Sequence, residues 1–281
     1  MKFKIVVDSC CELDEKMKAL DNIEIVPLTL TVSGEDVIDD DTFDQKSFIE
    51  KVSRATEEPK SSCPSPARYM EAYLGDYEAV FVVTLSSNLS GSNNSAQVGK
   101  EMYYEDHEGD SKKIHVFDSC SASVGETQLA MEIYRLAMEG KSFEEIVDQV
   151  TKFRENMNTY FVIESLETLR KNGRLTGLTA VIASVLNIKP IMTGTKEGVI
   201  AKLDQARGME KALDKLAQYI CKNVNEPENK TLMISHVNAI ERAERLKEEV
   251  LKLVKFKDVV ILDTAGVSTM YACDGGIIVA V

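Results

Sequence analysis

Residues 78–98 read EAVFVVTLSSNLSGSNNSAQV, and the fold predicted for the whole chain starts from this stretch. The apolar, β-branched run over residues 80–85 is typical of a buried strand. A loop rich in Ser, Asn and Gly follows, and helical spacing begins at about Asn93. Because this order places hydroxyls and free backbone N–H groups between a strand end and a helix start, it favours a bound anion. The same residues are common in ordinary loops and helix caps, so a purely structural role stays open.

The donors that this loop offers are uncharged. They are the hydroxyls of Ser86, Ser87, Ser90 and Ser92 and the backbone amides around Gly91. The loop contains no Lys or Arg. Neutral donors of this kind suit a single carboxylate or phosphate group better than a polyanion, whose binding draws on basic side chains.

Length and charge restrict the classes of function. A chain of 281 residues, 44% of them hydrophobic, has room for about two domains. Its formal net charge of −13 argues against binding to nucleic acid or to anionic membrane surfaces, because both need basic protein surface. The start, MKFKIVVDSC, leads into a strand rather than a signal peptide, and the longest apolar stretch is too short to span a bilayer. These features predict a soluble cytoplasmic protein with no integral membrane segment.

The spacing of cysteine and histidine gives no sign of a metal site. The six cysteines show no CxxC pair, and the three histidines lie far apart in the sequence. Zinc sites are usually recognised by close pairs of such ligands. We therefore predict no metal and no cofactor.

Residues 1–157 alternate strands with helices, which predicts an α/β domain whose parallel sheet is covered by helices on both faces. Residues 8–10 and 118–120 share the sequence Asp-Ser-Cys, and each triplet follows an apolar strand. We expect these two strands to end at the same edge of the sheet. Ligands in such sheets bind beyond the carboxyl ends of the strands.

Three local predictions complete the first half of the chain. Residues 23–32 are expected to form one strand, and the acidic residues 35–41 a loop. Pro64 and Pro66 place Ser61 and Ser62 on a stiffened loop before a helix. Both serines are then candidates for the same ligand-binding edge.

From residue 158 the pattern changes, which predicts a second domain over residues 158–281. A hairpin around residues 194–197 is mixed with strand–helix units, as expected for an α+β domain with a mixed sheet. Residues 176–186 are apolar and small, and they predict a buried helix that could line an apolar tunnel. The domain boundary is predicted between residues 157 and 158.

Eight motifs in this order resemble the DegV family of bacterial fatty-acid-binding proteins over nearly the whole chain. They are VVDSC, PLTL, KSSCPSP, LSSNLSGSNNSA, FDSCSASVG, LRKNGRLTG, LNIKPI and ARG. The resemblance implies two α/β domains with one long-chain fatty acid between them, its carboxylate on the first domain and its tail in the second. It also implies, for some members, a non-catalytic subunit that presents the acyl group to a separate, ATP-dependent fatty acid kinase.

The resemblance assigns roles by position. Ser61 and Ser62 match one group of ligand-binding hydroxyls, and the loop over residues 86–91 matches the second. Arg207 matches an arginine near the carboxylate, and Arg174 matches the partner-facing loop. With Arg170 and Lys171, it forms a basic group that predicts docking of an acidic partner, although cations also balance any helix C-terminus.

Two positions depart from the family pattern. The family often ends in His-x-Gly-Pro-Gly, where residues 272–276 read ACDGG, so the histidine and the proline are absent. A lysine that often precedes the arginine by two residues is Gln205 here. Both departures concern coupling to a kinase more than lipid binding.

Two other functions stay open from the sequence. A serine hydrolase needs a nucleophile, a base and an oxyanion hole, and only His236 has a strand-end context, without a G-x-S-x-G elbow. Binding of a small phosphate or phospho-sugar would use the same donor loops.

Overall fold

Three β-sheets organise residues 1–175 and 187–281, the part of the chain that this computed structural model describes. The first sheet has four parallel strands in the order β2-β1-β6-β7. They are β1 (Phe3–Asp8), β2 (Ile23–Val26), β6 (Ala79–Thr84) and β7 (Lys113–Asp118). As predicted, residues 8–10 and 118–120 follow strands that end at the same edge.

Helices cover both faces of the first sheet, which confirms the predicted α/β arrangement. One face packs against α3 (Pro66–Ala72) and α4 (Ser92–Asp106), and the other against α5 (Val124–Met138) and α6 (Phe143–Asn156). Local signals explain two helix starts. Ser65 caps α3 with Pro66 in the first turn, and Ser142 forms a capping box with Glu145 at α6.

The second sheet, with order β4-β3-β5, corrects the local predictions for the first half of the chain. Its antiparallel strands are β3 (Thr29–Val32), β4 (Glu35–Ile38) and β5 (Lys60–Ser62). The single strand over residues 23–32 was wrong, since the chain leaves the first sheet at Pro27. The loop over residues 35–41 was wrong because Ser33 and Gly34, both at positive φ, form a two-residue turn that returns the chain as β4.

The stiffened loop at Ser61 and Ser62 was also wrong, because both lie in β5. Pro64 restricts the backbone of Cys63, which follows β5, and not that of the two serines. β5 is also an edge strand, where a nearby proline is tolerated. Two further helices accompany this region, α1 (Glu15–Lys18) and α2 (Gln45–Arg54).

The third sheet has six strands in the order β10-β9-β8-β13-β11-β12, of which only β11 and β12 pair in parallel. The strands are β8 (Thr159–Val162), β9 (Ile188–Gly194), β10 (Ile200–Arg207), β11 (Thr231–His236), β12 (Asp258–Asp263) and β13 (Ile277–Ala280). The predicted mixed sheet and its β9–β10 hairpin are confirmed. The helix predicted over residues 176–186 lies outside the described residues.

Helices α8 (Met209–Asn223) and α9 (Ile240–Leu251) cover one face of the third sheet. The other face packs against α5, which therefore contacts two sheets at once. Gln128 on α5 donates hydrogen bonds to the carbonyls of Thr231 and Ala280 at 2.8 and 3.2 Å. The third sheet draws every strand from beyond residue 158, although the domain boundary itself stays a prediction.

Two short helices complete the described fold, α7 (Glu167–Lys171) and α10 (Gly266–Ala272). The sequence did not predict α10, since seven residues with small and β-branched side chains carry little helical periodicity. Within the described ranges, no helix is long and apolar enough to cross a membrane.

Candidate ligand-binding site

A cavity with an internal volume of about 100 Å³ lies where the loops after β6 and β7 face the third sheet and α10. Most of its wall is apolar. The lining residues are Cys10, Leu85, Leu89, Cys120, Ser121, Ala122, Thr159, Phe161, Ile163, Leu169, Arg174, Gly194, Gly198, Val199, Ile200, Val267, Ser268, Tyr271, Ala272 and Ile278.

The cavity runs along β8 and the loop that follows it. Thr159, Phe161 and Ile163 all line it, as expected when alternate residues of a strand point to one face. These positions span about 13 Å at about 3.3 Å per residue. Beyond them, the chain passes through α7 to Arg174, which also lines the cavity. The cavity thus follows β8 over this length, and Arg174 is the one charged side chain in its described wall.

Arg174 is fixed by backbone and aromatic contacts. Its Nε donates a hydrogen bond to the Leu89 carbonyl at 3.1 Å, and its guanidinium carbon lies 5.7 Å from the centre of the Tyr271 ring. The second contact is a cation–π geometry. Arg174 is thereby connected both to the serine loop and to α10.

Two buried carboxylates hold the start of α10, which carries Tyr271. Asp39 accepts from the N–H groups of Gly266 and Val267 at 2.6 and 3.0 Å. Glu12 accepts from the N–H of Ala265 at 2.6 Å. Burial raises the pKa of Glu12 to about 8 and that of Asp39 to about 6. The cavity wall on this side is therefore anchored from the first half of the chain.

The serine loop uses several of its donors within the protein. Ser86 is buried, and its hydroxyl donates to the Gly198 carbonyl at 2.8 Å. Ser87 is exposed, and its backbone N–H donates to the Asp118 carboxylate at 3.2 Å. Ser86 therefore connects the loop to the β9–β10 hairpin rather than offering a free donor.

The second half of the serine loop lies beside Arg174, which donates to the Leu89 carbonyl. Ser90 follows Leu89, which lines the cavity, and its Oγ lies 3.1 Å from Ser92 Oγ. Gly91 immediately precedes α4, where its missing side chain matters, because an added Cβ would lie 2.9 Å from Cys63 Sγ. The backbone at Gly91 consequently lies close to the Cys63 side chain, an approach that a larger residue would not allow.

Ser61 and Ser62 point in different directions because adjacent strand residues face opposite sides. Ser61 Oγ lies 2.9 Å from the hydroxyl of Tyr271, whereas the exposed Ser62 has only a long 3.5 Å contact with the Thr29 carbonyl. The strand geometry brings Ser61, rather than Ser62, to Tyr271, which lines the cavity.

Arg207 lies apart from this group. It is exposed at the end of β10, whereas Ile200, which lines the cavity, begins that strand. The two positions are separated by about 23 Å at about 3.3 Å per residue. Among the described residues, Arg207 does not line the cavity.

The three residues of the predicted basic group, Arg170, Lys171 and Arg174, lie in two different environments. Arg170 is exposed and pairs with Glu167 at 2.7 Å, and Lys171 is exposed and pairs with Glu58 at 3.3 Å. Arg174, by contrast, lines the cavity. Arg170 and Lys171 are exposed, whereas Arg174 is half-buried.

His236 lacks the surroundings of a catalytic base. It is buried at the end of β11, where Nδ1 accepts from the Ala239 N–H at 3.3 Å and lies 3.5 Å from the Asp263 carboxylate. Burial lowers its pKa. The neighbouring Ser235 hydroxyl lies 2.7 Å from Ser123 Oγ. Over residues 1–175 and 187–281, no serine hydroxyl is hydrogen-bonded to His236, so the geometry does not favour a hydrolase.

Comparison with known proteins identifies the family. The profile of the DegV family, described as uncharacterised proteins, matches residues 2–281. The chain belongs to the DegV family. It is 34% identical to a DegV domain-containing protein of Streptococcus pneumoniae strain R6 over 281 residues, covering 99% of this chain and 98% of the relative.

Solved structures of DegV proteins share this fold. A DegV family protein of Ruminococcus gnavus, refined with vaccenic acid, has a TM-score of 0.96 and 46% identity, with 99% of each chain covered. The Streptococcus pneumoniae Fatty Acid Kinase (Fak) B3 protein, loaded with linoleic acid, has a TM-score of 0.90 and 32% identity, covering 100% of this chain and 99% of the other. A DegV protein of Eubacterium eligens, loaded with heptadecanoic acid, has a TM-score of 0.90 and 28% identity, covering 99% and 98%.

Proposed function

We propose that this DegV protein binds one long-chain fatty acid in the cavity along β8, with the carboxylate next to Arg174. The observation that supports this most is the composition of the cavity wall, which is apolar and carries one charged side chain, Arg174, among the described residues. A fatty acid has the same division into a hydrocarbon and one charged group. The bound fatty acids of the three structural relatives support the same ligand class.

The tail supplies most of the affinity in this proposal. Burying about 15 methylenes at about 0.8 kcal/mol each gives on the order of 10 kcal/mol before ordering costs are subtracted. Phe161, Ile163 and Leu169 are the kind of wall that this transfer requires. The polar groups then fix the orientation of the acid more than they add to its affinity.

The head group requires donors, since a buried carboxylate without hydrogen bonds is costly. Of the predicted residues, Ser61, Ser90 and Gly91 have the contacts that best support a role at the head group. Ser61 contacts Tyr271. Ser90 and Gly91 follow Leu89, which lines the cavity and whose carbonyl accepts from Arg174. In this proposal Ser86 positions the hairpin. Ser62, Ser87 and Arg207 stay predicted ligand-binding residues with less geometric support.

Native mass spectrometry of the purified protein tests the ligand class. The expected result is a mass increment that matches one C16–C18 fatty acid and disappears after delipidation. Calorimetry of the delipidated protein should then show a 1:1 complex with oleate and no heat with inorganic phosphate or glucose 6-phosphate. Binding of either phosphate compound, with no oleate binding, would replace the lipid by a phosphorylated ligand.

We further propose that the outer surface at Arg170 and Lys171 docks a separate ATP-dependent fatty acid kinase subunit. The support is the exposed charge of both residues and the name of the pneumococcal relative, a Fatty Acid Kinase (Fak) B3 protein. Replacing both by alanine should abolish co-purification with the kinase subunit encoded in the same organism, while oleate binding stays unchanged.

Lys252→Ala is the matched control for the docking experiment. Lys252 is also a surface cation that pairs with a glutamate, Glu249, at 2.7 Å. If the control weakens the complex as much as the double variant does, the attraction is general charge rather than a docking site. A cytoplasmic location stays a prediction.

A further inference from the structure

We propose that Tyr271 is the residue that donates a hydrogen bond directly to the ligand carboxylate, with Ser61 holding the phenol from behind. This inference rests on the proposed function. Tyr271 lines the cavity, whereas Ser61 is not part of its wall. The two hydroxyl oxygens are 2.9 Å apart, which makes the tyrosine the group between the serine and the ligand.

Either hydroxyl could donate in this contact, and the proposal takes Ser61 as the donor. Each hydroxyl has one proton to donate and can also accept. When Ser61 donates to the Tyr271 oxygen, the phenol proton is left to point into the cavity. A donor without an acceptor in apolar surroundings costs free energy, and a carboxylate oxygen supplies the acceptor. Binding of an acid therefore completes a network that is otherwise one acceptor short.

Arg174 adds charge at the same place. Its guanidinium lies over the Tyr271 ring, with 5.7 Å between the guanidinium carbon and the ring centre. A cation over an aromatic face is attracted by the ring, so the ring and the cation restrict each other's position. A carboxylate that accepts from the phenol is consequently close to the positive charge that stabilises it.

The phenol is also held in place before the ligand arrives. Tyr271 belongs to α10, whose first residues are fixed by the carboxylates of Glu12 and Asp39. A donor that is already oriented loses little side-chain entropy on binding. This anchoring distinguishes Tyr271 from the donors on the exposed part of the serine loop.

Tyr271→Phe tests the assignment, because it removes the hydroxyl and keeps the ring. Dissociation constants of the delipidated protein are measured for oleate and for oleyl alcohol, which has the same tail without the charge. We expect the variant to bind oleate at least tenfold more weakly, and the preference for oleate over oleyl alcohol to fall by at least about fivefold. A merely structural role would weaken both ligands equally and leave this preference unchanged.

Tyr134→Phe is the matched control, since Tyr134 is a half-buried tyrosine on α5 that packs on Phe3 and does not line the cavity. It should leave both dissociation constants as in the wild-type protein. If the wild-type protein binds neither lipid, the proposed function fails and not this assignment alone.

Ser61→Ala provides the second test, since Ser61 is a positioning residue here. Alone it should weaken oleate binding less than Tyr271→Phe does, and in the Tyr271→Phe background it should add little, because the two act in series. Full additivity, or an unchanged oleate preference in Tyr271→Phe, would overturn the assignment.

Discussion

The Asp39 carboxylate accepts a 2.6 Å hydrogen bond from the backbone N–H of Gly266, a residue 227 positions further along the chain. Both residues are buried. This contact and the one to Val267 secure a helix of seven residues, a length that has little stability by itself. The wall of the cavity that α10 provides therefore depends on a carboxylate from the first half of the protein.

Asp39→Ala should lower the free energy of unfolding by about 2–4 kcal/mol, since two buried backbone donors lose a charged acceptor. Urea denaturation measures this change. Asp40→Ala is the control, because Asp40 is exposed and, among the described residues, its carboxylate accepts only from its near neighbour Thr42. Its cost should be below about 1 kcal/mol. Equal decreases in the free energy of unfolding would show that the contact of Asp39 with α10 stabilises the protein no more than the surface contact of Asp40 does.

Glu12→Gln should become progressively more stable than the wild-type protein as the pH rises from 5 to 8. The folded-state pKa of Glu12 is raised to about 8 by burial, above the unfolded value of about 4.3. Between these values the folded protein binds a proton that the unfolded chain does not, so wild-type stability falls with rising pH by up to about 1.4 kcal/mol per pH unit. Glutamine has no such proton.

The difference between the two proteins isolates Glu12, because the histidines titrate in both. Urea denaturation at intervals of one pH unit gives this difference directly. Glu57→Gln, which changes an exposed glutamate, should differ from the wild-type protein by a constant amount over the same range. A constant difference for Glu12→Gln as well would contradict the burial of a protonated carboxyl group.

Gly198→Ala should destabilise the protein more than Gly173→Ala does. The two glycines have nearly the same positive φ, +78° and +77°, which costs an L-residue about 1–2 kcal/mol. Among the described residues, an added Cβ at Gly173 meets no atom within 4 Å, whereas at Gly198 it would lie 2.8 Å from the Cys120 Cα. Overpacking at Gly198 adds about 1–3 kcal/mol to the cost of the positive φ. Thermal unfolding of the two variants should differ accordingly, and matching transitions would contradict the close approach.

Gly194→Val should shift the preference of the protein toward shorter fatty acids. Gly194 lines the cavity near Thr159, and an added Cβ would have an ordinary contact of 3.7 Å with the Thr159 Cβ, so the new Cβ fits. The valine methyl groups then take up space in the part of the cavity that Thr159 lines. Relative to a 14-carbon acid, an 18-carbon acid should lose about 1–2 kcal/mol of binding free energy. Equal changes for both acids in calorimetry would place the tail elsewhere.

Local signals were sufficient for much of this fold. The apolar run of β6, the capping box at Ser142 and the Asp-Ser-Cys triplets depend on neighbouring residues, and each predicted its element or its edge of the sheet. The second sheet was missed where a local rule was applied too strictly. Pro64 was taken to exclude a strand at Ser61 and Ser62, although it lies outside β5 and an edge strand tolerates a nearby proline.

The candidate site was less predictable, because its geometry depends on contacts between distant segments. Ser61 and Tyr271 are 210 residues apart, and nothing near either residue indicates the other. The carboxylates of Glu12 and Asp39 look like surface acids in the sequence, yet both are buried. The alternation that separates Ser61 from Ser62 would have been evident from the sequence only once β5 was predicted.

Helix α5 also limits how a ligand can be exchanged. It is packed on the first sheet and hydrogen-bonded through Gln128 to two strands of the third. A hinge motion that separated the first sheet from the third would remove α5 from one of these sheets. If α5 stayed with the first sheet, the Gln128 amide would lose both acceptors. Uptake and release by local rearrangement at the rim of the cavity would keep both of these contacts intact.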